Sequence, residues 1–218
     1  MYDLHRTVLR GFPDRLDTGR SAGPRAACGL LYRLERPPGP TAGVRLLVQS
    51  TVMPDWGALP PGYLLSARGV GNAAIMKDIA PVYDRLEANM VFRFVLRATP
   101  SRAAPDKRTS VDSRSPRVPL LTDAERLSWL RRKSERAGFE IPPGHDSTAD
   151  FPVSIMGSEC VTGKVRGRTI TLTAVIFDGT LRVTDARAFR RALEDGIGPA
   201  KGFGFGLLSL ARHGRAAW

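Results

Sequence analysis

Apolar positions recur along the chain in two rhythms, and each rhythm predicts an element. Leu4, Val8, Leu9 and Phe12 fall at helical spacing, which predicts an amphipathic helix over 1–12, stopped by Gly11 and Pro13. Strand-like runs follow at 28–35 and 44–51, and the Pro/Gly-rich link 36–43 predicts a long hairpin loop between them. The clearest alternation is at 90–98. Val91, Arg93, Val95 and Arg97 point one way and Phe92, Phe94 and Leu96 the other, so one side is core and the other carries two arginines. Residues 14–27 read as a polar loop, and 63–87 follow neither rhythm.

Start and stop signals organise the second half. Thr122 with Glu125 forms a capping box ahead of a helix over 123–136, with Leu127 and Leu130 inward and Gly138 at its end. A short strand at 151–156 and the stretch 160–168 lead into a β-branched strand at 169–177. Asp178-Gly179 is a type I′ hairpin signal, predicting a return strand at 180–184. Asp185 caps a helix running through Leu193, and Leu207–Leu210 is the last strand. The second half thus reads helix, strand, strand, strand, helix, strand. With the strand at 90–98 and the first half, it predicts an α+β fold of two related units, akin to the β-α-β-β-α-β split ferredoxin-like motif.

The charge balance changes the picture. The 218 residues carry 33 basic against 21 acidic side chains, a net +12, and only Lys77, Lys107, Lys133, Lys164 and Lys201 are lysine. Arginine offers a planar fork for phosphate and can stack on bases, so a nucleic-acid partner is indicated. A GC-rich codon bias explains arginine over lysine but not the shortage of carboxylates. Cys28 and Cys160 lack C-x-x-C spacing, so neither a zinc site nor a disulfide framework is indicated. No apolar run is long enough to span a membrane and no secretory h-region is present, so the chain reads as cytoplasmic.

Candidate chemistry lies at the two ends. Tyr2 and His5, three apart on one helix, can converge on one ligand as groups that move protons, although a lone histidine is commonly surface decoration. Near the other end, Gly196, Gly198, Gly202, Gly204 and Gly206 surround Lys201. That stretch is either a phosphate-binding loop or a tight turn with packing glycines. It is not a Walker A loop or a dinucleotide fingerprint, because it precedes a strand rather than a helix. Lys164, Arg166 and Arg168 alternate and would project from one side. The basic segment 99–118 reads equally as a solvated linker or as a backbone-contacting arm. Arg131, Arg132, Lys133 and Arg136 complement a helix dipole, and His145 and His213 read as exposed.

Three blocks taken together resemble a known family. They are Tyr2-Asp-Leu-His-Arg6, Arg117-Val-Pro-Leu-Leu121 running into Glu125–Arg132, and Gly196–Lys201 followed by Gly204–Leu210. Leu47–Ser50 with Pro54 and Phe94–Pro100 extend the likeness over nearly the whole chain. The pattern is similar to the CasE family, the CRISPR repeat-processing endoribonuclease of the subtype I-E Cascade complex, within the repeat-associated RNA-binding superfamily.

The resemblance implies two tandem ferredoxin-like (RRM-like) domains: 1–100, a basic linker over 101–118, and 119–218. Family members begin with a strand before the Tyr-x-x-His helix. This chain begins at that helix, so the first unit is expected to lack its N-terminal strand, as from a start codon set late.

The same resemblance implies cleavage of a repeat hairpin without metal or other cofactor, by 2′-OH attack leaving a 2′,3′-cyclic phosphate and a 5′-OH. His5 would be the catalytic histidine and Tyr2 its assistant. RNA contacts would come from Arg6, Arg10, Arg114, Arg117, Lys164, Arg166, Arg168, Gly198, Lys201, Gly202 and Gly204. The expected partners are repeat hairpin RNA and other Cascade subunits, with no membrane. The rival readings are a non-catalytic RNA-binding module and a structural subunit of a ribonucleoprotein.

Overall fold

In a computed structural model the described residues are 2–13, 23–35, 44–64, 74–104, 117–142, 153–165 and 168–212. In chain order the elements are α1 (Tyr2–Leu9), α2 (Pro24–Ala27), β1 (Leu31–Glu35), β2 (Arg45–Gln49), α3 (Ala80–Tyr83) and β3 (Val91–Ala98). Then come β4 (Ser101–Ala103), β5 (Arg117–Pro119), α4 (Asp123–Arg136), β6 (Phe139–Glu140), β7 (Val153–Val165), β8 (Arg168–Val183), α5 (Ala186–Asp195) and β9 (Leu208–Arg212). The result is a mixed α/β chain with antiparallel sheets.

The main sheet is built on β8, a strand of 16 residues. Its order is β6-β8-β3-β9, with β7 also paired to β8. The alternation read at 90–98 does its work here: Phe94 and Leu96 are fully buried, opposite Gly179 and Phe177 of β8. Helices α4 and α5 cover that face, and Leu130, Phe139, Phe177, Phe189 and Leu193 join the same core cluster. Each such side chain stabilises the fold by about 1.5–3 kcal/mol relative to exposure.

Both helices start where their caps predict. Thr122 accepts from the Glu125 amide while the Glu125 carboxylate takes the Thr122 amide, and Asp185 accepts from the Ala188 amide. Gly138, at φ 73°, lets the end of α4 cross the start of α5; a Cβ there would stand 2.4 Å from the Asp185 carbonyl oxygen.

A smaller unit comprises β1 and β2, paired Leu31↔Gln49 through Glu35↔Arg45, with α1 packed on them. Val8, Phe12, Cys28 and Leu30 form its buried centre. Polar bonds tie the two parts together. Arg33 donates through Nε and Nη2 to Glu35 and through Nη1 to the Val95 carbonyl (3.2 Å), and Gln49 donates to the Leu193 carbonyl (2.8 Å).

Three expectations need correcting. Asp178 and Gly179 are not a turn. They lie mid-strand in β8, facing Val95 and Phe94 on one side and Ser154 and Val153 on the other. Partners on both flanks override the local preference, and Gly179 does not adopt the positive φ that a type I′ turn requires. The stretches 151–156 and 160–168 are likewise not separate. Strand β7 runs from 153 to 165 with one irregularity between Ile155 and Gly157.

The third correction concerns the one-sided row of cations. Lys164 opposes Thr169 and Val165 opposes Arg168, so the chain reverses between them and the row is broken. Strand β3 is hydrogen-bonded between β8 and β9. The segment 101–118 is anchored at both ends, where β4 pairs with β5; 105–116 lies outside the described residues, as do His145 and His213. The stretch read as loop at 14–27 ends in the short helix α2.

Candidate active site

Residues from three distant parts of the chain meet at His5. The helical spacing that sends Leu4 and Val8 into the small core leaves His5 on the flank of α1 that faces the glycine stretch. Its imidazole stacks on the buried ring of Tyr32 in β1, with centroids 6.2 Å apart and planes 19° apart. The Tyr32 hydroxyl donates to the Gly202 carbonyl at 2.6 Å. Gly202 in turn faces the imidazole: a Cβ there would stand 3.8 Å from both Cε1 and Nε2. Nδ1 is buried and has no hydrogen-bond partner among the described residues.

Electrostatics set the protonation state. Burial, followed by the charge of Arg25, holds the His5 pKa below its ordinary value, so the neutral base form is favoured near neutral pH. Arg25, in α2, is held by a bond from Nη1 to the Leu30 carbonyl at 2.9 Å. Lys201 opens the short 3₁₀ helix Lys201–Phe203, and burial, then Arg25, lowers its pKa as well, with Asp195 opposing. Arg25 thus acts both on the half-buried imidazole and on Lys201 of the glycine stretch. Such a setting favours a ligand that brings negative charge.

The glycines divide by what they do. Gly198 has φ 85°, and a Cβ there would stand 3.0 Å from the Trp129 ring; Gly204 has φ 79° and lies against the Tyr32 ring. These two are required by conformation and close packing. Gly202 has neither constraint, and its missing side chain leaves room in front of His5. Ala200, at φ 61°, takes a left-handed position although it is not glycine.

The other sequence candidates are spread more widely. Tyr2 opens α1, but its side chain lies outside the described residues. Arg6 and Arg10 are exposed on α1 and the turn after it. Arg117 lies on β5, away from His5 in the fold, and donates to the hydroxyl (2.9 Å) and carbonyl (3.2 Å) of Ser101. Lys164 and Arg168 sit where β7 and β8 join; their side chains, and all of Arg114 and Arg166, lie outside the described residues.

Two residues of the site were not anticipated. Tyr32 sits in an ordinary apolar strand and Arg25 in an apparent loop, and neither carries a local signal. Only the fold brings them to His5.

Comparison with known proteins places the chain as a whole. The family model described as "CRISPR associated protein" matches residues 1–212. The CRISPR-associated endoribonuclease Cse3 of Thermus thermophilus is 32% identical over 215 residues, covering 96% of this chain and 89% of its own. The CRISPR system Cascade subunit CasE of Escherichia coli is 31% identical over 215 residues, covering 97% and 92%. Among solved structures, Thermus thermophilus Cse3 bound to an RNA representing a pre-cleavage complex has a TM-score of 0.73 at 31% identity, with 96% of this chain and 88% of that one covered. With likeness running from the His5 helix through the glycine stretch to the last strand, the chain belongs to the CRISPR-associated protein family that contains these relatives.

Proposed function

We propose that this protein is an endoribonuclease that cleaves CRISPR precursor RNA at its repeat hairpins, working in the cytoplasm with other subunits of a Cascade complex. The observation that carries the reading is the meeting of His5, Tyr32 and Gly202, with Arg25 acting on the imidazole and on Lys201. A half-buried imidazole near a cation and an open glycine face supports a proton-transfer role for His5.

The chemistry suited to such a site uses the RNA's own nucleophile. The 2′-oxygen adjoining the scissile phosphate attacks phosphorus, the bond to the 5′-oxygen breaks, and a 2′,3′-cyclic phosphate and a 5′-hydroxyl result. One proton leaves the 2′-hydroxyl and one reaches the departing 5′-oxygen. His5 is assigned to one of these transfers, a role worth about 10²–10⁴-fold in rate, with Tyr2 assisting. Its lowered pKa favours acceptance from the 2′-hydroxyl. Lys201 and Arg25 would meet the charge that grows on the phosphoryl oxygens. Arg6, Arg10, Arg114, Arg117, Lys164, Arg166 and Arg168, with Gly198 and Gly204 shaping the loop, are assigned to holding the RNA. No metal or cofactor has a role in this scheme.

The fold reading that accompanies it is a pair of ferredoxin-like units. The second runs β3-α4-β7-β8-α5-β9, and its strand order β7-β8-β3-β9 supports that assignment. The first unit contributes α1, β1 and β2, and the division falls before β3, at about the position of α3, rather than at residue 100.

The test is incubation with a repeat hairpin RNA and analysis of the product ends. A 2′,3′-cyclic phosphate from the unaltered protein, and none from His5→Ala that still binds the RNA, is the expected result. Intact RNA with the unaltered protein would defeat the reading in favour of a binding-only subunit.

A further inference from the structure

Beyond His5, the glycine stretch leads onto a second basic surface. Trp129 of α4 is buried, and its ring lies against Gly198. Arg132, Lys133 and Arg136 follow at i+3, i+4 and i+7 and so share one helical face with it. The Lys133 ammonium lies over the Trp129 ring at 5.9 Å. None of these three cations forms an ion pair among the described residues, whereas Arg33, Arg93, Arg97, Arg126, Arg182 and Arg190 all do. Among the described residues Arg132 binds only the Ser128 hydroxyl, a neutral group, and Arg117 only Ser101.

Complementing the helix dipole does not account for this arrangement. That effect is worth about 0.3–1 kcal/mol per charge and fades within the last turn. Arg132 lies a turn back from the end of α4, and like charges set three and four residues apart repel. The charges acting on Lys133, after its burial, are all cations: Arg136, Arg117 and Arg132. A surface that crowds like charges without internal carboxylates is relieved by a polyanion. It is also continuous with the site, because Trp129 touches Gly198 and Lys201 lies three residues further along the same loop, next to Gly202.

We infer that the α4 face of Arg132, Lys133 and Arg136, joined by Arg117 and Lys201, is a track that carries the RNA backbone away from the scissile phosphate. This rests on the endoribonuclease reading. Contacts on the track go to phosphates, so they add affinity with little sequence preference.

The experiment measures the affinity of the full chain for a repeat hairpin RNA with flanking nucleotides, as a function of salt. Each phosphate contact contributes roughly 0.7–0.9 to the slope of log affinity on log salt. The combined variant Arg132→Gln, Lys133→Gln, Arg136→Gln should therefore lose about 2 from the slope and bind about tenfold or more weakly near physiological salt. A matched variant, Arg85→Gln, Arg187→Gln, Arg191→Gln, removes the same net charge from exposed positions elsewhere and should keep the slope. Should the triple α4 variant fail to fold, Arg132→Gln with Arg136→Gln, both exposed, should lose about two-thirds as much slope. An unchanged slope in the α4 variants, or an equal loss in the matched variant, overturns the track. Failure of the unaltered protein to bind or cut the hairpin would instead overturn the enzymatic reading on which it rests.

Discussion

The hydroxyl of Tyr32 is bonded to the carbonyl of Gly202 at 2.6 Å, while its ring lies under the imidazole of His5. One buried side chain therefore fixes the distance between α1 and the glycine turn. Burial pushes the phenol pKa well up, so it stays a donor throughout the working pH range. Tyr32→Phe keeps the ring and removes only this bond. The cleavage rate in single-turnover experiments should fall about tenfold, with RNA affinity changed less than twofold and stability lowered by about 1 kcal/mol. An unchanged rate would show that the turn holds its place without Tyr32.

The His5 pKa is held below its usual value by burial and by Arg25, so the free protein should keep its base to lower pH than an exposed histidine would. In a profile of kcat/KM, which reports the free enzyme, the acidic limb should fall below about pH 6.5. Replacing Arg25 with Gln should move that limb toward higher pH, because it removes a nearby cation. The stability effect has a definite sign. Between the folded pKa and about 6.5 the unfolded chain binds more protons at this residue, so its contribution to stability grows as pH rises through that window and is lost as pH falls. A limb that moves downward in the Arg25 variant would contradict the electrostatic assignment.

Gly202 and Gly198 should respond to substitution in opposite ways. Gly202 has ordinary backbone angles, and an added side chain fills the space before His5. Gly202→Val should leave the melting temperature within a few degrees and cut cleavage by about a hundredfold. Gly198 has φ 85° and lies against Trp129, so Gly198→Ala should be costly in stability, by about 1–2 kcal/mol. Thermal unfolding and single-turnover cleavage of the two variants make the comparison.

Chelation should be without effect. A site whose proton transfer rests on His5 and whose charge stabilisation rests on Lys201 and Arg25 should cut at the same rate in excess EDTA. Loss of cleavage on chelation, restored by a divalent ion, would require a different mechanism.

Arg33 should matter to stability rather than chemistry. It is buried, is shared between Glu35 and the Val95 carbonyl, and so joins the small unit to the main sheet. Arg33→Met should destabilise the protein by about 1–3 kcal/mol, read in denaturant unfolding, because Glu35 and Val95 both lose a donor.

Legibility in the sequence followed the range of the interactions. Helices α4 and α5 could be read because their caps, Thr122 with Glu125 and Asp185, act within a few residues. The alternation at 90–98 was equally plain, yet nothing local says that its partners are β8 and β9. Asp178-Gly179 misled for the same reason: a strong two-residue preference was outvoted by strands on both sides. His5 and the glycine stretch were each visible as candidates, and family likeness set them in one site. Tyr32, which holds them together, looked like any strand tyrosine.

The placement of β3 has a consequence for how the chain is made. This strand enters the sheet between two strands that are both synthesised much later, β8 from residue 168 and β9 up to residue 212. On the ribosome, Phe92, Phe94 and Leu96 emerge with neither neighbour in existence; one backbone edge of β3 stays open until β8 is out, and the other until nearly the last residue of the sheet. Pairings of such long sequence separation form slowly and leave an aggregation-prone intermediate. The newborn chain should therefore be far more dependent on chaperones than the finished protein, and truncation before residue 208 should yield insoluble material rather than a smaller folded protein.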